Sequence, residues 1–195
     1  MYKICQTENS QKRQWLIEET LLDLMRKNPY NEITISALCA QADIPRKAFY
    51  RYFDTKEDVL HALIDHMQMR YLYEGPAGPT GYDEVVRMYT FWYEHRELLD
   101  VLFNNNMEGL WYSRMIDKAI EERVGARYAQ HKGQSDAYRL MTTFTIGGLL
   151  SCVVFCHRLG WKKTTQEMAE ITTDLLTKPL YDLQKNNFAE ITPSE

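Results

Sequence analysis

The residues best suited to chemistry form one short cluster, 45–53, in which cations and aromatic rings alternate. If this stretch is helical, at about 100° per residue, the side chains of Arg46, Lys47, Tyr50 and Arg51 share one half of the helix. Arginine and lysine bind guanine edges or phosphates in the major groove, and tyrosine hydroxyls bind phosphates. The opposite half carries the packing residues Ala48, Phe49, Tyr52 and Phe53. The cluster therefore predicts a helix with one packed face and one DNA-binding face.

The charge around this cluster is positive, although the whole chain of 195 residues has a net charge of −4. Residues 44–56 contain four cations and a single acid, Asp54. The overall charge argues against a protein that coats nucleic acid without specificity, but specific binding depends on the field at the docking face. Thr55 and Asp58 predict a capping box that opens a long helix. Lys56 would lie in its first turn, where the helix dipole also attracts a phosphate.

Two further helices are needed to position the cluster. Apolar residues at helical spacing predict a first helix over 12–27, which ends at Asn28-Pro29. Thr34 is a good N-cap for a second helix, and a tight break at 43–45 separates it from the short third helix at 45–52. A short helix set after a tight turn has the geometry of the recognition helix in a helix-turn-helix.

Residues 33–60 resemble the DNA-binding segment of TetR-family regulators. The family pattern has a Thr-capped helix, Ala-Gly-Val-Ser at the turn, Phe-Tyr-x-(His/Tyr)-Phe and then Lys-Glu-x-Leu. The matching positions are Thr34, Leu38, Ala42, Phe49, Tyr50, Tyr52, Phe53, Lys56 and Glu57, with Val59 or Leu60 in the apolar slot. The resemblance implies phosphate contacts by Tyr50, Tyr52 and Lys56, with Arg46, Lys47 and Arg51 reading bases. Thr34 completes the predicted DNA-binding set.

Three positions depart from the family pattern. Asp43 replaces the usual turn glycine, Pro45 the usual capping serine or threonine, and Ala48 a frequent threonine. Pro45 can start a helix but has neither a side-chain oxygen nor a backbone N–H. Ala48 removes a possible phosphate contact, and Asp43 places a negative charge near the DNA. We expect the motif to persist with altered contacts and affinity.

The segment 75–81 is rich in glycine and proline and predicts a linker. It separates a helix-turn-helix domain at 1–55, with a connecting helix at 56–74, from a second domain at 75–195. Helical patterns resume at 82–95, 97–105, 107–131, 135–159 and 165–186. The predicted fold class is all-α: a three-helix N-terminal domain and a helical-bundle regulatory and dimerisation domain, with about nine helices.

The last two predicted helices are the candidates for a dimer interface. A single helix-turn-helix makes too few contacts for specificity, so we expect a homodimer that reads half-sites spaced by about 34 Å or a multiple. Small residues that would allow close approach are Thr145, Gly147, Gly148 and Ser151. The family resemblance implies a four-helix bundle formed with the symmetry mate. The alternative is that both helices are buried within a monomer.

Aromatic residues are dense between 82 and 112 and favour an apolar cavity between facing helices. The predicted lining residues are Trp92, Phe103, Trp111 and Phe144. They would bind a small apolar or aromatic effector, with a protein effector as the less favoured partner. The alternative is that these side chains only fill the core.

Cys152, Cys156 and the adjacent His157 form the one other cluster with chemical potential. Cysteines at i and i+4 share a helix face, which suits a metal or redox sensor. Two thiols and a histidine that points elsewhere do not complete a tetrahedral set, and buried cysteine is commonly a small hydrophobe. We therefore expect no metal and no cofactor.

Several protein classes are disfavoured. No nucleotide loop, paired metal-ligand spacing or Ser/His/Asp arrangement predicts an enzyme. The first ten residues lack the apolar core of a signal peptide, and the longest apolar stretch, 144–156, is short of the ~20 residues of a membrane span. We therefore expect a cytoplasmic protein with no membrane contact.

The function expected from these features is transcription regulation, by default repression, with a double-stranded DNA operator of palindromic sequence and an effector in the C-terminal domain. The alternative is a helical adaptor of the same shape that acts through protein contacts. An adaptor has no need for four cations around the third helix, which favours DNA binding.

Overall fold

The computed structural model describes residues 2–3, 7–73, 80–128 and 135–178, except for the side chains of 122–128, 135, 138 and 142. Within these ranges the chain forms nine α-helices, one 3₁₀ helix at Tyr30–Glu32 and no strand, which confirms the all-α prediction. The helices are α1 (Glu8–Met25), α2 (Ile35–Gln41), α3 (Arg46–Phe49), α4 (Lys56–Tyr73), α5 (Gly81–Glu94), α6 (Arg96–Asn104), α7 (Glu108–Tyr128), α8 (Ser135–Arg158) and α9 (Thr165–Thr177). Most of the predicted linker and residues 179–186 of the last predicted helix lie outside the described residues.

The N-terminal helices α1, α2 and α3 pack with the start of α4 around fully buried apolar side chains. Leu21, Leu38, Phe49 and Phe53 have no exposed surface, and the rings of Phe49 and Phe53 lie 5.7 Å apart. Full burial of one such side chain stabilises the fold by about 1.5–3 kcal/mol. Because Phe49 and Phe53 are held inward, the opposite side of the third helix is turned to solvent.

Polar caps define where α2 and α4 begin. The Thr34 hydroxyl accepts a hydrogen bond of 3.1 Å from the backbone N–H of Ala37. The Thr55 hydroxyl accepts from the N–H of Asp58 at 3.1 Å, and the Asp58 carboxylate accepts from the N–H of Thr55 at 3.0 Å. This reciprocal pair is the predicted capping box, with aspartate in the position of the usual glutamate.

The turn between α2 and α3 is a Schellman motif centred on Asp43. Asp43 has φ +51°, its N–H bonds to the Ala40 carbonyl, and the Ile44 N–H bonds to the Cys39 carbonyl at 3.0 Å. The left-handed conformation explains why this position suits glycine, and aspartate is among the few other residues that tolerate it. Pro45 then acts as the N-cap of α3 without a side-chain hydrogen bond.

The C-terminal helices form a bundle in which α7 packs on α8, α5 on α9 and α4 on α7. Gly147 is a point of close approach within one chain, because a Cβ at this position would lie 2.8 Å from the Tyr112 hydroxyl. That hydroxyl donates to the Gly147 carbonyl. Of the small residues proposed for a dimer interface, Gly147 therefore serves the packing of α7 on α8, whereas Gly148 and Ser151 are exposed.

The left-handed turn generates a prediction about stability. Asp43→Gly should be more stable than Asp43→Ala by about 1 kcal/mol, because only glycine adopts φ +51° without strain from a Cβ. Urea denaturation would measure the difference in the free energy of unfolding. The matched control is Ala40→Gly in α2, where glycine should instead cost about 0.5–1 kcal/mol. Equal stability of the two Asp43 variants would contradict the strain argument.

Candidate nucleic-acid interface

Four polar side chains lie exposed on α3 and the turn that follows it. They are Arg46, Lys47, Tyr50 and Arg51. The α-helix itself ends at Phe49, earlier than predicted, and the chain continues as hydrogen-bonded turns, with the Arg51 N–H bonded to the Ala48 carbonyl at 3.2 Å. Although the helix ends early, the side chains of these four residues all remain on the solvent side.

Arg46 and Tyr50 are linked one turn apart. The Arg46 guanidinium donates to the Tyr50 hydroxyl at 3.2 Å, and this hydrogen bond raises the pKa of Arg46. The phenol and the guanidinium therefore project together from one edge of α3. Such a pair can present a base-reading cation next to a phosphate-binding hydroxyl.

Two of the other predicted DNA contacts do not belong to this face. Tyr52 belongs to the packed side, with 8 % of its surface exposed, so a phosphate contact is limited to the edge that remains accessible. Thr34 is exposed at the start of α2, where its hydroxyl already accepts the capping hydrogen bond. These two contacts stay predictions.

Lys56 has a role that the sequence did not reveal. Its ammonium donates to the carbonyls of Tyr30 at 2.5 Å and Ile33 at 2.6 Å, and it lies 4.0 Å from the centroid of the Tyr30 ring. Burial lowers the pKa of this ammonium. Lys56 therefore links the loop between α1 and α2 to the start of α4, and its contact with a phosphate stays a prediction.

The same loop is also tied to the C-terminal bundle. The Asn105 side chain, at the end of α6, accepts from the Tyr30 N–H at 2.7 Å and donates to the carbonyls of Met25 at 3.2 Å and Val101 at 2.9 Å. One polar loop is thus held by α4 through Lys56 and by α6 through Asn105. No motif signals this contact, because Asn105 is 75 residues from Tyr30 along the chain.

Three of the four predicted effector residues lie together in the bundle. Trp92, Phe103 and Trp111 are buried, and the Trp111 ring centroid lies 5.2 Å from that of Trp92 and 5.3 Å from that of Phe103, both edge-to-face. Phe144 does not join them. The prediction that it lines a pocket is wrong, because 74 % of its surface is exposed on the outer face of α8.

A cavity of about 400 Å³ lies between α4, α5, α7, α8 and α9, within the size range of small-molecule sites. Its walls are mainly apolar and include Trp92, but not Phe103 or Trp111. The Gln68 amide also lines it; its nitrogen donates to the Met115 carbonyl at 3.1 Å. Gln68 Oε1, Trp92 Nε1 and Thr173 Oγ1 are buried without a hydrogen-bond partner among the described residues. Sequence reasoning missed Gln68, whose signal is a polar residue inside the buried stripe of α4.

A larger cleft, of about 830 Å³, lies between α1, α4 and α7. Its rim is formed by the exposed residues Glu8, Gln11, Lys12 and Tyr73, so it opens to solvent. A ligand that buries most of its surface fits the smaller cavity better, because that cavity is enclosed by five helices.

The outer face of α8 carries an apolar stripe. Leu140, Met141, Phe144 and Phe155 are exposed at spacings close to one helical turn or multiples of it, and Ile171 and Leu175 extend the stripe onto α9. By length and composition the segment 139–158 could cross a membrane, and it exceeds the apolar stretch identified in the sequence. This is weak evidence for a span, because a helix that packs on several sides has the same composition.

The comparisons with known proteins agree with this geometry. Residues 17–63 match the family model described as bacterial regulatory proteins, tetR family. A segment of 53 residues is 34 % identical to the HTH-type dhaKLM operon transcriptional activator DhaS of Lactococcus lactis subsp. lactis (strain IL1403). The matched segment spans 27 % of this chain and 28 % of that relative, so the chain matches little more than a quarter of its length.

Two solved structures share the fold over most of the chain. The dihydroxyacetone kinase operon activator DhaS matches with a TM-score of 0.53 and 18 % identity over 84 % of this chain and 93 % of that one. The fatty acid degradation regulator FadR from Bacillus halodurans matches with a TM-score of 0.59 and 14 % identity over 91 % of this chain and 98 % of that one. The short third helix, its turn and its cationic face define a helix-turn-helix protein. More particularly, residues 17–63 of its N-terminal region match the model of the tetR family of bacterial regulatory proteins.

The position of Lys56 generates a prediction about stability. Lys56→Met should lower the free energy of unfolding by about 1–2 kcal/mol, because the carbonyls of Tyr30 and Ile33 lose their charged donor. The control is Lys47→Met, which removes an exposed ammonium and should change stability by less than about 0.5 kcal/mol. Urea denaturation of both variants is the measurement. If the Lys56 variant is as stable as the control, the hydrogen bonds from Lys56 to the two carbonyls do not contribute to the free energy of unfolding.

Proposed function

We propose that this protein is a dimeric transcription regulator that binds a palindromic operator through α3 and responds to a small effector in the C-terminal bundle. The observation that carries the proposal is the exposed face of Arg46, Lys47 and Arg51 within a tetR-family domain. Such a face reads base edges in the major groove while neighbouring groups hold phosphates. In this proposal the protein is cytoplasmic and has no enzymatic activity.

The proposed dimer forms through the apolar stripe of α8 and α9. Apolar side chains as exposed as Phe144 and Phe155 are costly in a monomer when they form one continuous patch. A second copy covers the stripe with the same residues, since a two-fold interface is self-complementary. Exposed Gly148 and Ser151 between the large side chains permit the two α8 helices to approach closely.

The proposed effector is small, uncharged and largely apolar, with one or two polar atoms. The apolar walls of the 400 Å³ cavity favour such a molecule, and among the described residues Glu84 is the one charged side chain that lines it. That carboxylate is paired with Arg87 at 2.6 Å, so its charge is already balanced. Gln68 Oε1 would accept a hydrogen bond from the effector, and Trp92 Nε1 would donate one.

The proposed coupling runs through α4, which lines the cavity with Gln68 and carries the helix-turn-helix at its other end. An effector that wedges α4 away from α5 changes its tilt and therefore the spacing of the two recognition helices. Since the pitch of DNA sets the spacing of the half-sites, a change of a few Å unseats one of them. The contacts of Asn105 with the α1–α2 loop form a second path from α6.

The direction of regulation follows from where the operator lies. Repression needs only an operator that overlaps a promoter, and we propose it as the default. The relative from Lactococcus lactis is named as an activator, so transcription in vitro from a promoter carrying the selected operator is the test. Fewer transcripts on addition of the protein support repression, and more transcripts overturn it.

The experiment that tests DNA binding is selection of bound sequences from random duplexes at two salt concentrations. We expect a palindromic site bound by a dimer, with affinity falling as salt rises, because phosphate contacts release counterions. Recovery of no sequence by a folded dimer would reject DNA binding and favour the helical adaptor that acts through protein contacts.

The first prediction for this function concerns the cationic face. Arg46→Ala and Arg51→Ala should each cost about 1–3 kcal/mol of discrimination at one base position, because each removes a cation that reads a base edge. Quantitative binding to single-base variants of the selected operator is the measurement. Lys162→Ala, an exposed cation between α8 and α9, is the control and should change neither affinity nor preference. If both arginine variants bind as the wild type does, the assigned DNA face is wrong.

The second prediction concerns the dimer. Phe144→Glu should convert the protein from a dimer of 23.1 kDa chains into a monomer, because it places a charge in the centre of the apolar stripe. Sedimentation equilibrium gives the mass. Leu16→Glu substitutes an exposed leucine of α1 and should leave the dimer intact. A Phe144→Glu variant that remains dimeric would place the interface elsewhere.

The third prediction concerns the cavity. The uncharged fluorescent dye N-phenyl-1-naphthylamine should bind the wild type, and Leu149→Trp should weaken binding at least about tenfold because the larger side chain occupies the cavity. Fluorescence titration measures both. Leu16→Trp, on the surface of α1, is the control. Equal binding by all three proteins would show that the dye occupies another site and would contradict the assigned pocket.

A further inference from the structure

Three sulfur-bearing side chains lie where α9 packs on α8. Cys152 and Cys156 lie one helical turn apart on α8, and neither forms a disulfide. The Cys156 thiol donates to the Met168 thioether on α9 at a sulfur–sulfur distance of 3.1 Å. Cys156 and Met168 are buried, whereas Cys152 is only partly buried and leaves a route from solvent.

A buried hydroxyl faces the same cluster from α5. Tyr89 is 2 % exposed, and its hydroxyl lies beside the side chains of Cys152 and Thr172. Burial raises the pKa of the Cys152 thiol, and the neighbouring Tyr89 hydroxyl offsets part of this rise. A hydroxyl can donate a hydrogen bond to a thiolate, so Tyr89 is placed to stabilise a thiolate at Cys152.

We propose that Cys152, Cys156 and Met168 form a binding site for one soft monovalent metal ion of the Cu(I) class. Thiolate and thioether sulfur are the ligands that Cu(I) prefers over the oxygen and nitrogen donors chosen by harder ions. Zinc would require a fourth ligand to complete a tetrahedron. The adjacent histidine, His157, contacts Asp100 and the Phe103 ring instead.

Binding of Cu(I) at this site requires no change of oxidation state. Three metal–sulfur bonds form, two thiol S–H bonds break, and the two protons go to solvent. The bound complex then has one net negative charge, because two thiolates surround one monovalent cation. Tyr89 stabilises this charge by donating its O–H to the thiolate of Cys152. Burial raises the pKa of the Cys156 thiol, and the Lys163 ammonium offsets part of this rise. The site therefore supplies both the ligands and the compensation for their charge.

This proposal is independent of the proposed function, because it requires neither an operator nor an effector. Its structural consequence is local. The metal would join α8 to α9 by coordination bonds and so fix the angle between the two helices that carry the exposed apolar stripe.

The test is anaerobic titration of the full chain with Cu(I) in competition with the chromophoric chelator bathocuproine disulfonate. We expect one Cu(I) per chain and sulfur-only ligation by X-ray absorption. Cys156→Ser should weaken binding at least about 100-fold, and Met168→Leu and Tyr89→Phe about tenfold each. Met168→Leu conserves volume and therefore keeps the fold if the serine variant does not.

The control is the double variant Cys5→Ser/Cys39→Ser, which retains the three proposed ligands and should bind Cu(I) as the wild type does. Failure of the wild type to take Cu(I) from the chelator would overturn the proposal. So would binding that survives both Cys156→Ser and Met168→Leu, or binding that disappears in the control variant. If Cys156→Ser and Met168→Leu lose Cu(I) binding but keep the operator affinity of the wild type, the result supports the metal site and does not affect the proposed function.

Discussion

Burial of α4 is the constraint on which the other contacts between the two halves of the molecule depend. The buried residues of this helix are Asp58, Val59, Leu60, Ala62, Leu63, Ile64, Asp65, Met67, Gln68 and Tyr71. The polar side chains of a helix that is enclosed on most sides have little access to water, so they need hydrogen-bond partners within the protein. The Asp65 carboxylate accepts two hydrogen bonds, of 2.7 and 2.6 Å, from the Arg114 guanidinium of α7. It also accepts a hydrogen bond from the Tyr2 hydroxyl.

The same requirement joins α4 to α1. The Glu18 carboxylate of α1 is fully buried and lies 2.8 Å from the His66 ring of α4. Burial raises the pKa of Glu18; burial also tends to lower that of His66, but the hydrogen bond and charge of Glu18 outweigh this and raise it. Removal of the His66 side chain would leave the buried Glu18 carboxylate without this partner. α4 is therefore held to α1 by the hydrogen bond between Glu18 and His66, and to α7 by the salt bridge between Asp65 and Arg114.

The sequence allowed prediction of those features that depend on neighbours a few residues away. Thr55 with Asp58, the tight turn at Asp43 and the division of α3 into packed and cationic faces all follow from helical geometry over at most one or two turns. The φ of +51° at Asp43 also explains the departure from the family's glycine, since aspartate tolerates a conformation that most side chains avoid.

Contacts between distant helices could not be predicted from the sequence. The helical period indicates which side of a helix is buried, but it does not indicate which other helix packs against that side. Phe144 and Trp92 are both aromatic residues in predicted helices, yet Phe144 faces solvent and Trp92 lies in the core. The same limit applies to Lys56, whose carbonyl partners lie 26 and 23 residues earlier. It applies equally to the sulfur cluster: the cysteine pair on α8 is visible in the sequence, whereas Met168 becomes a third ligand only because α9 packs back across α8. Charged and sulfur-bearing side chains at such crossings are therefore where the structure adds most to the chemistry that the sequence suggests.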